Sequence, residues 1–303
     1  MGDDGHLADV ELEDLHKQHR QKSTTEGGAC LTGHEASFRK KQNKVTCNYR
    51  YQAYEQAGAE AKIKERLHDY ASRTTPVKTS VYETNAGGWA PAYYALELPA
   101  PAQGDWDVGG PSKSVMRKSI HGLMIKIPAG MNFSQDTWPY WNNAHHLIPK
   151  GLFNTLISEQ LKNVPNVMRK SLMMAKYNIN HKLNMFMLPQ DKEVARILGL
   201  TRHIQLKHGG EGVDEICTDH PVYNRHVRNT LTGIIRTYKS LCDKAKQEGH
   251  ELPETELIKK KLENLSKNLM NQIIAWGQSE PGASLDKHAN KLQPQAKNKS
   301  DTL

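Results

Sequence analysis

The stretch Asn142-Asn143-Ala144-His145-His146-Leu147-Ile148-Pro149-Lys150 sets two adjacent histidines between small or polar residues and a Leu-Ile-Pro step. It reads as the end of a short strand entering a bend. Neighbouring side chains on a strand point to opposite faces, so His145 and His146 can hold separate positions, one facing a metal and the other handling a proton. In a chain with 15 histidines such a pair also arises by chance. Its weight comes from partners further along.

Downstream, Leu152, Phe153, Leu156, Ile157 and Leu161 predict a helix, and Met168, Leu172 and Met173 predict another over residues 167–177. Residues 177–189, YNINHKLNMFMLP, alternate polar and apolar side chains around Asn178, Asn180, His181 and Asn184, then end as an apolar strand closed by Pro189. Asp191 is a predicted N-cap for a helix running to Leu198 and stopped by Gly199. From Pro221, apolar residues recur every three or four positions through Leu241, giving the strongest helix in the chain, with proline in its first turn and Gly249 past its end. A second long helix is predicted over residues 254–276, with Gly277 as its stop. Its outer face carries Lys259, Lys260, Lys261 and Lys267, a pattern of solvated faces that can also follow a phosphate backbone.

Upstream the signals weaken. Residues 6–22 form a weak amphipathic pattern, 23–35 are turn-rich, 51–70 fit a helix, and 74–110 are rich in Pro, Gly, Ala and aromatics. A strand is expected within 119–128, and a disordered polar tail over 279–303. The chain therefore divides into an amino-terminal region of residues 1–110, a domain of residues 111–278 and the tail.

Hydrophobic residues make up 37% and the formal charge is +8, with a mean hydropathy of -0.72. A modest core with exposed helices is expected, and an anionic partner such as nucleic acid is compatible with the charge. Cys30, Cys47, Cys217 and Cys242 form no Cys-x-x-Cys, against a zinc ribbon or a disulfide-dense secreted scaffold. Cys30, His34 and Cys47 supply three ligand types without an evident fourth, and Cys217 lies three residues before His220 without a clear complement. No Sec-type signal and no run long enough to span a membrane is visible.

His220 and Asn224 are four apart at a helix start, so their side chains lie over one another. Imidazoles and oxygen donors converging on a divalent ion suit such a set. The residues thus support a metal held by His145, His220 and Asn224, with His146 facing substrate as general base and Asn184 fixing its loop. For phosphodiester hydrolysis the division is chemically sensible, since a neutral imidazole titrates near working pH. His226 lies on another helix face and fits the site poorly.

Ala144-His145-His146 with Leu-Ile-Pro, Asn178-Ile179-Asn180-His181 with Asn184 and Leu188-Pro189, His203, and His220-Pro-x-Tyr-Asn224 together resemble the AHH nucleases, a branch of the HNH/endonuclease VII superfamily found as bacterial toxin domains. The resemblance covers roughly residues 140–235. It implies an α+β, predominantly helical fold, with an HNH-like ββα-metal core surrounded by helices and a separate amino-terminal region. It also implies a metal-dependent DNA endonuclease acting as an antibacterial effector, with a cognate immunity protein as partner. Carried residue by residue, His145, His220 and Asn224 hold the metal and His146 with Asn184 serves catalysis, while His203 and His181 are secondary candidates. The loop between His203 and His220 departs from the pattern and leaves open whether His203 or His208 joins the site. Mg²⁺, Zn²⁺, Mn²⁺ or Ni²⁺ suits such ligands. A secretion-system carrier or chaperone would deliver the protein from the producer's cytoplasm into a target cell without a Sec signal. The alternatives are an RNase on the same scaffold and a non-catalytic nucleic-acid-binding or delivery-adaptor protein with a structural zinc.

Overall fold

The structure, a computed structural model, describes residues 29–31, 49–59, 81–85, 93–97, 115–118, 124–127, 142–162, 165–189, 192–203, 220–249 and 255–292. The described chain is α+β and mostly helical. Its elements are α1 (Tyr49–Ala59), β1 (Val81–Asn85), β2 (Tyr93–Glu97), β3 (Val115–Lys118), β4 (Met124–Ile127), β5 (Asn142–His146), α2 (Lys150–Gln160), α3 (Pro165–Met174), a 3₁₀ turn (Lys182–Asn184), β6 (Met185–Pro189), α4 (Lys192–Leu198), α5 (Pro221–Gln247), α6 (Thr255–Ser279) and α7 (Leu285–Lys291). Among the described residues three two-stranded antiparallel sheets form, β1 with β2, β3 with β4, and β5 with β6. No described helix is long and apolar enough to cross a membrane.

The α5 helix follows its sequence pattern. Tyr223, Val227, Leu231, Ile235 and Tyr238 form its buried stripe, at about 1.5–3 kcal/mol for each large apolar side chain removed from water. Ile258, Leu262, Leu265, Leu269, Ile273 and Trp276 of α6 join the same core, with Phe153, Leu156 and Ile157 of α2 and Leu172 of α3. Arg228 on α5 pairs with Glu159 on α2 at 3.1 Å, an exposed contact that adds little.

The β5–β6 pair is thin, yet β6 is buried along its whole length. Met185 and Met187 pack with Ala53, Ala57 and Ala144 on one face, while Phe186 and Leu188 face the main core. The register sets His145 opposite Phe186 and His146 opposite Met185. The pleat therefore assigns the adjacent histidines to different layers.

Several expectations are corrected. Residues 29–31 and 49–59 of the expected amino-terminal region are not separate from the domain: α1 packs on β5–β6, Gln52 Oε1 accepts from Lys182 N at 2.9 Å, and Gln56 reaches Met270 Sδ on α6. Cys30 further bridges to Asn178 in parallel fashion. Short apolar contacts across a large sequence separation carry no local periodicity, which explains why sequence reading set this region apart. The expected boundary between residues 110 and 111 and the amphipathic pattern at residues 6–22 lie outside the described residues.

The expected disordered tail also folds in part. Ser284 Oγ caps α7 by accepting from Lys287 N at 3.2 Å, Leu285, His288 and Ala289 are buried, and Trp276 stacks on His288. Glu280 accepts from Lys287 and from Lys291. Nor does Gly277 stop α6, which continues to Ser279. A Cβ at Gly277 would lie 2.7 Å from Gly199 O and 2.8 Å from Leu200 Cα. Glycine serves a close helix–backbone crossing there. Gly199 itself, at φ +68, does end α4 as expected.

Candidate metal centre

Three imidazoles converge where β5, the segment after α4 and the start of α5 meet. His145, His203 and His220 offer ligand atoms that all lie within 4.8 Å of one another. Their ring centroids are 4.8 Å apart for His145–His220, 5.2 Å for His145–His203 and 4.9 Å for His203–His220. All three are buried.

Each ring has a distinct anchor. His145 is fixed by the β5–β6 register. His203 N donates to Pro189 O at 2.8 Å, and its neighbour Arg202 exchanges backbone hydrogen bonds with Ala283 and Leu285 beside α7. His220 stands at the N-cap of α5, and Nδ1 lies 3.0 Å from Asn224 Oδ1. That contact orients the ring, as carboxylates or amides behind ligating histidines commonly do. The start of α5 is held from two sides: Tyr223 Oη donates to Leu147 O at 2.6 Å, and Asp286 Oδ1 accepts from Tyr223 N at 2.9 Å. A carboxylate accepting from a first-turn N–H also complements the helix dipole.

His145 Nε2 and His203 Nδ1 are buried with no hydrogen-bond partner among the described residues. An unsatisfied buried nitrogen costs about 1–3 kcal/mol, so two facing one small space form an unstable arrangement unless something binds them. Burial first, then His220, His203 and His146, hold the His145 pKa well below its ordinary value. Burial and then His220 do the same to His203. His145 and His203 are accordingly neutral at pH 7, the protonation state in which imidazole binds a metal.

His146 lies across the sheet. Its Nε2 is 2.8 Å from Asn180 Oδ1, and its ring centroid is 5.5 Å from that of Tyr49 on α1. Asn180 Nδ2 points to Cys30 Sγ at 3.5 Å, which leaves the amide oxygen for the histidine. An amide oxygen only accepts, so Nε2 carries the proton and Nδ1 the lone pair. Burial lowers the His146 pKa to about 4 against the Asn180 bond, which raises it, while Lys150 lowers it further.

Asn184 ties the two strands' flanks together. Its Oδ1 accepts from Ile148 N at 2.8 Å and from Ser266 Oγ at 2.8 Å, and its Nδ2 donates to Ile179 O at 2.8 Å. Its backbone carbonyl accepts from Leu147 N at 2.9 Å. The loop after His146 is thus fixed by one buried side chain, as expected from the sequence.

Of the expected metal residues, the structure brings His145 and His220 together and adds His203. Asn224 Oδ1 lies against His220 Nδ1. His181 is elsewhere, capping the 3₁₀ turn with Nδ1 accepting from Leu183 N at 3.3 Å. His226 bonds Gln272 on α6. His34, Cys47, His208 and Cys217 lie outside the described residues. Sequence reasoning assigned no site role to Asn180, Tyr223 or Asp286. Asn180 lay within the Asn178–His181 motif, but nothing local ties Asp286 to α5. The chain matches no family model, no curated protein and no solved structure.

Proposed function

We propose that this protein is a metal-dependent endonuclease that hydrolyses phosphodiester bonds of DNA, built on an HNH-like ββα-metal core of β5, β6 and the start of α5. The observation that carries the reading is the division of His145 and His146 between two faces of β5. One ring joins two other buried imidazoles, with its own Nε2 and His203 Nδ1 lacking a hydrogen-bond partner among the described residues, and the other is held by Asn180 with its second nitrogen as the lone-pair site. His145, His203 and His220 would hold a divalent ion, for which Mg²⁺, Mn²⁺, Ni²⁺ and Zn²⁺ are the candidates. Such an ion supplies stabilisation of charge on the scissile phosphate and leaving oxygen.

His146 Nδ1 takes the proton of the attacking water as its oxygen bonds to phosphorus and the ester P–O bond breaks. Asn180 fixes the ring's tautomer, and Asn184 fixes the loop that carries it. On the same reading the protein is an antibacterial effector, delivered into target cells by a secretion-system carrier or chaperone and neutralised in its producer by a cognate immunity protein. The near-complete burial of the three rings also supports a second reading, a structural zinc in a non-catalytic nucleic-acid-binding or delivery-adaptor protein.

Plasmid digestion across a metal series separates the two. His146→Ala is expected to lower nicking by about 10²–10⁴-fold, the usual worth of a general base, with bound metal and melting temperature nearly unchanged. Wild-type protein that nicks neither DNA nor RNA with any of these ions would leave only the structural reading.

A further inference from the structure

Residues 282–286 join the chain around two of the three imidazoles. Gly282 N donates to Leu200 O at 2.9 Å, Arg202 N to Ala283 O at 3.0 Å and Leu285 N to Arg202 O at 3.1 Å, and Arg202 pairs with Ser284 in parallel fashion. That short ladder ends one residue before His203. One residue past Leu285, Asp286 Oδ1 accepts from Tyr223 N at 2.9 Å, in the helical turn that His220 begins. One short segment thus bonds to the flanks of both ligands.

The start of α5 shows why the second bond matters. An N-cap residue ordinarily turns its own side chain back to accept from the second or third amide of its helix, which otherwise lacks a partner. The N-cap of α5 is His220, and its side chain makes no capping bond. Its Nδ1 lies against Asn224 Oδ1, and its ring meets those of His145 and His203. The ring is given to the centre and the cap is left open. Tyr223 is the third residue of the helix, the position whose amide an N-cap side chain serves, and Asp286 supplies that acceptor from α7. Its charge also suits the positive end of a helix.

The segment that carries Asp286 is itself fixed. Ser284 Oγ accepts from Lys287 N at 3.2 Å, and Trp276 stacks on His288. Gly282 has φ +83, and a Cβ there would lie 2.7 Å from Lys192 O, so the chain passes close beside α4. On the other side of the ladder, Thr201 Oγ1 donates to Ile273 O at 3.3 Å. A carboxylate on so constrained a backbone fixes the place of Tyr223 N as well as complementing its partial charge.

We infer that Asp286 is a positioning residue of the metal centre: it caps α5 in place of His220 and leaves that histidine for an ion, while residues 282–285 hold the segment before His203 in the same frame. The inference rests on the three-imidazole centre and not on cleavage, so it applies alike to an endonuclease and to a structural zinc. Its action on the ion is indirect, through Tyr223 N and the first turn of α5.

Co²⁺, which accepts nitrogen donors as Zn²⁺ does and absorbs visible light, is the probe. Chelator-stripped full-length protein is expected to take up one equivalent and to develop the strong bands of a four-coordinate ion. Asp286→Ala should weaken Co²⁺ binding by about 10–100-fold, the usual effect of losing a group that orients a ligand, and should shift or dim the bands. Asp286→Asn keeps an oxygen that accepts the same amide hydrogen and should stay within about threefold of wild type. Ile258→Ala, a core truncation on α6, should lower the melting temperature while leaving affinity and bands unchanged, which separates positioning from general destabilisation. If the alanine variant does not fold, Asp286→Glu carries the test, since it keeps the charge and displaces it by one methylene; affinity should again fall. Binding and bands like wild type in the alanine variant, or in the glutamate variant where that one is used, overturn the assignment. So does an asparagine variant or an Ile258→Ala protein that loses as much as alanine at 286. Wild type that takes up no Co²⁺ removes the three-imidazole centre itself, and the role with it. Plasmid digestion is read separately: the expected binding pattern without cleavage keeps the role of Asp286 and removes the endonuclease.

Discussion

The two faces of β5 differ in how their polar atoms are satisfied. On the His145 face, three buried imidazoles meet, and His145 Nε2 and His203 Nδ1 lack partners among the described residues. On the His146 face, the ring is bonded to Asn180, which is bonded in turn to Cys30, and the surrounding layer is small residues and methionine from α1, β5 and β6. One five-residue strand carries both an arrangement that calls for a ligand and one that fixes a ring. The pleat does this without any insertion or bulge, because adjacent side chains on a strand cannot share a face.

The largest expected effect comes from removing an anchor of the first face. His203→Ala should abolish stoichiometric binding of a divalent ion, measured by calorimetry and metal analysis, and with it the thermal stabilisation that ligand binding confers, about 2.7 kcal/mol at a hundred times Kd. Undiminished binding in this variant would break the proposed three-histidine centre and return Asn224 to candidacy as a ligand.

Acidification gives a smaller, graded test. Burial and mutual repulsion hold His145 and His203 below the ordinary imidazole value, so the unfolded chain takes up these protons first. The fold is undisturbed above about pH 6.5 and loses stability as the pH falls below it. Urea midpoints of chelated protein should therefore drop between about pH 7 and pH 5, and less steeply in His203→Ala. A flat profile would show that the rings are not held neutral by the fold.

The smallest effect sharpens the second face. Asn180→Asp sets a carboxylate against His146 and should raise that ring's pKa from about 4 by about one unit or more. Histidine ring resonances followed by NMR titration read it directly. An unmoved His146 resonance would mean that Asn180 does not govern the ring.

How much of this was legible in the sequence depends on how local each signal is. The α5 stripe from Tyr223 to Tyr238 and the Gly199 stop were readable because periodicity and positive-φ glycine are properties of neighbouring residues. The division of His145 and His146 was readable for the same reason. Asn184 as the lock of the loop was also anticipated, though its bond to Ser266 on α6 was not. His203 was only a secondary candidate, because its place rests on Pro189 O, on Arg202 beside α7 and on Gly277 letting α6 approach. Residues 29–31 and α1 carried no pattern strong enough to link them to β6.

By itself, then, the sequence determined the course of α2, α4 and α5 and most of that of α6, and that β5 presents its two histidines to opposite sides. Helical and strand periods are set by backbone geometry, so a few adjacent residues suffice to express them. Only the tertiary structure decided which third imidazole meets His145 and His220, and that Cys30, α1 and Asp286 belong to the same construction. Those choices depend on burial and hydrogen bonds between segments far apart in the chain, and distance in space leaves no repeat in the sequence to read.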